Sequence, residues 1–105
     1  MLFRSVNGAE VVGADDGLIA LKLAKARRPD LILLDLNMPG LDGFELCKIL
    51  AGTDGLRDVP VVVISGTIDD AIRERVLALG AAEALIKPLR PDHLVGVAER
   101  YLGRR

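Results

Sequence analysis

The stretch Leu31–Gly43, LILLDLNMPGLDG, decides how the chain folds. Apolar residues Leu31 to Leu34 run up to an acid, Asp35, and Pro39-Gly40 then turns the chain. A short run that is apolar on both faces is the pattern of a parallel strand covered by helices on each side. Asp35 therefore stands at the carboxyl end of a buried strand. Just beyond it, Asp42 followed by Glu45 makes a capping box that opens a helix reaching about Ala51.

The same alternation extends in both directions. AEVVGA (9–14) reads as a strand, and a helix follows from about Asp16 to Arg28, stopped by Pro29. VPVVVIS (59–65) is a second strand apolar on both faces. Thr67 and Asp70 predict the cap of a helix over 68–79, with Ile68, Ile72, Val76 and Leu79 on one face and Gly80 just past its end. EALIK (83–87) is a short last strand, and Pro91 starts a helix through Leu102. Strands that alternate with helices predict an α/β fold with a parallel sheet. The chain of 105 residues reads as a single domain, 1–105, with Leu31 to Leu34 and Val61 to Ile64 as its most buried runs.

Composition narrows the function classes. Fourteen basic residues against fifteen acidic ones give a formal charge of −1, which provides no field to recruit nucleic acid or anionic lipid. No apolar run approaches a membrane span and no secretory signal opens the sequence, so a cytoplasmic protein is expected. Cys47 is the single cysteine and lies within the periodic FELCKIL (44–50), where core packing explains it.

Asp35, Ser65 and Lys87 each fall at the carboxyl end of a strand. Beyond those ends lies the crevice where open α/β sheets bind ligands. Singly, each has a plain structural explanation: a turn, a cap, a solvated lysine. Together they suit phosphoryl handling, the carboxylate as nucleophile and the hydroxyl and ammonium as partners of the transferred oxygens.

RPDLILLDLNMPGLDGFEL (28–46), VPVVVISG (59–66), ALGAAEALIKP (78–88) and EVVGADDG (10–17) together resemble the receiver domains of bacterial two-component response regulators. The resemblance covers about Met1 to Tyr101. It implies a flavodoxin-like fold and a place in a phosphorelay, with a sensor histidine kinase or phosphotransfer protein as partner. It also implies that Asp35 is the phosphoacceptor, that the backbone carbonyl of Asn37 and the carboxylate of Asp35 help hold magnesium, that Ser65 is the switch hydroxyl, and that Lys87 contacts the phosphoryl group. A cis peptide is expected at Lys87-Pro88. A haloacid-dehalogenase-type enzyme orders similar residues, but Asn37 stands where that class needs a second acid and no acidic pair follows Lys87.

The sequence departs from the family at its start. Receivers begin with a strand ending in paired acids, whereas MLFRSV (1–6) resembles the last turns of the helix that follows it. Without those carboxylates, magnesium binding is expected to be weak. The alternative is therefore a degenerate receiver that works as a dimerisation or binding module without phosphorylation. Asp15-Asp16 is expected to cap a helix; only if AEVVGA moved beside LILLD would the pair be carried towards Asp35 and become a metal site. Ala84 replaces the aromatic residue that many receivers carry three positions before the lysine, so no rotating ring can answer Ser65.

The first strand of a receiver is central, in the order 2-1-3-4-5. Its loss leaves an edge beside LILLD that invites pairing. Two arrangements answer it: AEVVGA moves beside LILLD within the chain, or a second protomer supplies a strand. Exchange between protomers is the expectation, because it also covers the exposed face, and a homo-oligomer follows. The Asn7-Gly8 pair is read as a helix-to-strand loop rather than a hairpin turn.

Overall fold

The computed structural model describes residues 2–6, 9–13, 17–36, 42–88 and 90–102. Its elements in chain order are β1 (Leu2–Val6), β2 (Ala9–Gly13), α1 (Gly17–Arg27), β3 (Leu31–Asp35), α2 (Gly43–Gly52), β4 (Val61–Ser65), α3 (Asp70–Ala78), β5 (Glu83–Ile86) and α4 (Pro91–Leu102). They build one five-stranded sheet in the order β1-β2-β3-β4-β5. β2 through β5 run parallel, and β1 is antiparallel to β2.

The centre matches the expectation. β3 pairs with β4 from Ile32↔Val61 to Asp35↔Ile64. Leu31, Leu34, Val62 and Val63 are fully enclosed. Alternation along the strands sends side chains into two cores. Ile32, Leu34, Val61 and Val63 pack with Ala24 of α1, Leu46, Cys47 and Leu50 of α2, and Val76 of α3. Leu31 and Val62 pack on the other face against Val97 of α4, with Leu33, Leu85, Val95 and Tyr101 half-buried around them. α1, α2 and α3 thus cover one face, and α4 lies on the other. Cys47 is a core residue as expected, and burial pushes its thiol up to about 11, which suppresses the reactive thiolate.

The beginning of the chain departs from the expectation in two ways. Leu2–Val6 is a strand, not the end of a helix. It forms a hairpin with β2 in the register Leu2↔Gly13 to Val6↔Ala9, so the chain reverses across Asn7-Gly8, which themselves lie outside the described residues. An Asn-Gly pair between two such strands is the strongest short-range hairpin signal, and here it prevails over the resemblance to a helix. Secondly, no strand lies between β2 and β3, which pair directly from Val11↔Leu31 to Gly13↔Leu33. The edge expected to take a strand from another protomer is closed by the chain's own AEVVG. Local pairing prevails because its crossover through α1 is short and needs no second molecule.

The helix ends show how local chemistry sets boundaries. Asp42 caps α2, its Oδ1 accepting from Phe44 N at 2.7 Å. Gly43, next to it, packs so closely on Leu36 that a Cβ would lie 2.9 Å from Leu36 Cδ2. The cap of α3 is Asp69, with Oδ1 accepting from Ile72 N at 2.8 Å, and not Thr67 or Asp70. Asp69 has the extended backbone an N-cap needs, while Asp70 is already inside the first turn. Gly80 follows α3 at φ +110, and an added Cβ there would meet Ala51 Cβ at 2.8 Å. β4 starts at Val61 and β5 ends at Ile86, slightly inside the sequence boundaries.

Val62 lies under α4 with none of its surface exposed. Val62→Asp therefore places an unpaired charge between two layers and is expected to cost about 4 kcal/mol or more in a denaturant titration. Asp69→Ala is expected to cost about 1 kcal/mol in the same measurement, and Thr67→Ala clearly less, because only Asp69 satisfies a first-turn amide.

Candidate functional site at the carboxyl ends of the strands

Parallel strands in register end together, so the last residues of β3, β4 and β5 share one pole of the sheet. Asp35 is the last residue of β3 and pairs with Ile64; Ser65 is the last of β4 and pairs with Ile86. Lys87 follows β5 directly, its backbone N–H donating to Ser65 O at 2.8 Å. The ladder thus assembles the three residues singled out from the sequence.

Their side chains differ in environment. Lys87 Nζ donates to Asp35 Oδ2, joining the first and third strand ends in an ion pair. Both groups keep contact with solvent, at 38% and 25% exposure, so water screens the pair and its main effect is to fix geometry. Ser65 is enclosed, with 5% of its surface exposed. Its Oγ accepts from Thr67 N at 3.3 Å, which holds the start of the β4–α3 connection against the sheet. The Lys87-Pro88 peptide is cis, as the resemblance implied.

Asn37, Asp15 and Asp16 lie outside the described residues, so the expectations placed on them find no geometry here. Among the described residues no group of three His, Cys, Asp or Glu side chains is arranged to hold a metal ion. Asp35 offers one carboxylate to a hard cation such as magnesium, which takes several oxygen ligands.

Two neighbours of the site were not legible in the sequence. Thr67, read as a cap, instead gives its amide to Ser65. Arg73 of α3 sends Nη1 to the carbonyl of Ala84 in β5 at 3.0 Å. Nothing in helical spacing marks Arg73, because its acceptor is a backbone atom brought near only by the fold.

An α/β domain with a carboxylate, a hydroxyl and an ammonium gathered at the carboxyl pole of its sheet has groups suited to phosphoryl chemistry. Comparison with known proteins makes the class specific. The family model of the response regulator receiver domain matches residues 1–99. The chain is 34% identical to the polar-differentiation response regulator DivK of Brucella anthropi, over 97% of this chain and 85% of that protein. It is 40% identical to the response regulator MprA of Mycobacterium tuberculosis, over 95% of this chain and 43% of that protein. It is 42% identical to the cyclic di-GMP phosphodiesterase response regulator RpfG of Xanthomonas campestris pv. campestris, over 75% of this chain and 21% of that protein. The chain thus spans most of DivK but less than half of MprA and about a fifth of RpfG.

Solved structures agree. The chemotaxis protein CheY4 of Vibrio cholerae superposes with a TM-score of 0.77 at 31% identity, covering 84% of this chain and 73% of that one. The receiver domain of sensor histidine kinase PA1611 from Pseudomonas aeruginosa, which has a magnesium ion coordinated in its active site cleft, gives 0.75 at 29% identity, covering 86% and 74%. The chain belongs to the response regulator receiver domains of two-component signalling and has their flavodoxin-like fold.

Proposed function

We propose that this chain, taken as one domain over 1–105, is the phosphate-accepting module of a cytoplasmic phosphorelay, with Asp35 as its phosphoacceptor. The observation that carries this reading is the joining of Asp35 to Lys87 at the pole where Ser65 also ends its strand. In the transfer, a carboxylate oxygen of Asp35 forms a bond to phosphorus while the bond from phosphorus to the donor breaks. The donor is a phosphohistidine of a sensor histidine kinase or phosphotransfer protein, and its imidazole leaves with the electron pair. Lys87 moves its ammonium from the carboxylate to a phosphoryl oxygen, keeping charge balanced. The Ser65 hydroxyl turns to another phosphoryl oxygen. No helix among the described residues is long and apolar enough to cross a membrane, and the near-neutral charge offers no nucleic-acid surface.

Magnesium binding is weak in this proposal if Asp35 alone serves it, because one carboxylate supplies few of the oxygens the cation takes. The second reading is a degenerate receiver that binds its partners or a second copy without phosphorylation. Incubation with acetyl phosphate, with and without magnesium, is read by intact mass. The expected result is a minor fraction carrying one phosphoryl group, little changed by magnesium and absent in Asp35→Asn. Near-complete conversion in wild type would overturn the weak-metal proposal. An adduct that survives Asp35→Asn would overturn Asp35 as acceptor, and no adduct even from a phosphohistidine donor would favour the second reading.

We further propose that the chain associates with a second copy on the α4 side of the sheet. α4 is the one described helix packed on that face, and Leu33 and Leu85 beside it stay only half-buried. Light scattering over a concentration series is expected to show the mass rising to that of a dimer. A monomer mass at every concentration would overturn this.

A further inference from the structure

Arg73 closes a circuit of hydrogen bonds that begins and ends at Ser65. The Ser65 hydroxyl accepts from Thr67 N at 3.3 Å, holding the connection that leads into α3. Two residues on, Asp69 caps α3, and its carbonyl accepts from Arg73 N at 3.0 Å. The Arg73 guanidinium then crosses to β5, donating to Ala84 O at 3.0 Å. From Ala84 the strand β5 continues to Ile86, and Lys87 N returns to the Ser65 carbonyl at 2.8 Å. Ser65 therefore holds both the connection into α3, at Thr67, and the exit of β5, at Lys87, and the Arg73 side chain ties α3 to β5.

We infer that Arg73 is a positioning residue that couples the hydroxyl of Ser65 to the seating of α3 on β5. Ala84 is nearly enclosed, 2% exposed, and has no side chain beyond Cβ with which to register a change nearby. Its carbonyl registers the change instead, through a rigid planar guanidinium. When the Ser65 hydroxyl takes a different partner, Thr67 N loses its acceptor, the first turn of α3 moves, and the Arg73–Ala84 bond lengthens. The effect reaches the surface. Leu77, one turn beyond Arg73, and Ile86, two residues beyond Ala84 on the same side of the strand, are the large apolar side chains left most open among the described residues, at 45% and 52%. Their spacing follows the Arg73–Ala84 distance.

The use of this coupling in signalling rests on Ser65 belonging to the Asp35 site, but the coupling itself is measurable in the unphosphorylated protein. The test is a cycle of wild type, Ser65→Ala, Arg73→Ala and the double variant, read by amide hydrogen exchange in β5 and the first turn of α3. Each single variant is expected to speed exchange, and the double variant to fall short of the product of the two effects by at least about twofold. Arg73→Lys keeps a donor and is expected to restore part of the coupling; it also serves as the arm of the cycle should Arg73→Ala fail to fold. Arg75 supplies the control, because its guanidinium covers the Phe44 ring at 3.8 Å and not β5. Arg75→Ala should multiply independently with Ser65→Ala. Independent multiplication in the Ser65 and Arg73 cycle would overturn the inference. It would leave Asp35 as acceptor untouched, which intact mass decides separately.

Discussion

The parallel pairing of β3 with β4 is the constraint on which the rest depends. Its register, Ile32↔Val61 through Asp35↔Ile64, decides which side chains enter which core and brings Asp35 level with the end of β4. A slip by one residue would send Leu31 and Leu33 into the core built for Ile32 and Leu34. It would also turn Asp35 to the opposite face of the sheet. Packing and chemistry are therefore specified by the same ladder, and the enclosed positions Leu31, Leu34, Val62 and Val63 resist the slip.

The parts legible in the sequence are those whose cause is local or whose pattern is saturated. LILLD and VVVIS announce central strands because burial on both faces leaves no polar positions. The α2 cap was legible because Asp42 satisfies an amide two residues away. The α3 cap was not, because Thr67, Asp69 and Asp70 are all capable residues and the choice depends on where the chain leaves β4. Asp69 wins by having an extended backbone at the right point.

Strand order was the larger miss, and its reason is physical. Periodicity reports which faces of a strand are buried but not which neighbour fills its edge. β2 next to β3 and β2 next to a missing strand have the same sequence pattern. The resemblance suggested a gap, and β2 itself closes it, with β1 on its far side. The site suffered less from this error than the fold did, because Asp35, Ser65 and Lys87 lie on β3, β4 and the end of β5, whose mutual order was unaffected.

The strand carrying Lys87 into the site is the shortest of the five and lies at the sheet's edge, so its position needs support from outside the ladder. Consecutive residues of β5 provide it in opposite directions. Ala84 faces the core shared by α1, α2 and α3, and its carbonyl takes the Arg73 bond from α3. Glu83 points the other way and takes α4: Arg100 Nη1 reaches its two oxygens at 2.5 and 2.7 Å, and the Tyr101 hydroxyl donates to Oε2 at 2.8 Å. Burial, then the hydrogen bond to Glu83, pushes the Tyr101 hydroxyl above its usual range, so it remains a donor at physiological pH. Such exposed charge pairs contribute little stability, but they restrict where the strand can lie. With helices from both layers fastened to neighbouring residues, β5 can neither slide nor tilt freely. Lys87 is thereby held facing Asp35, although only β4 lies beside it in the sheet.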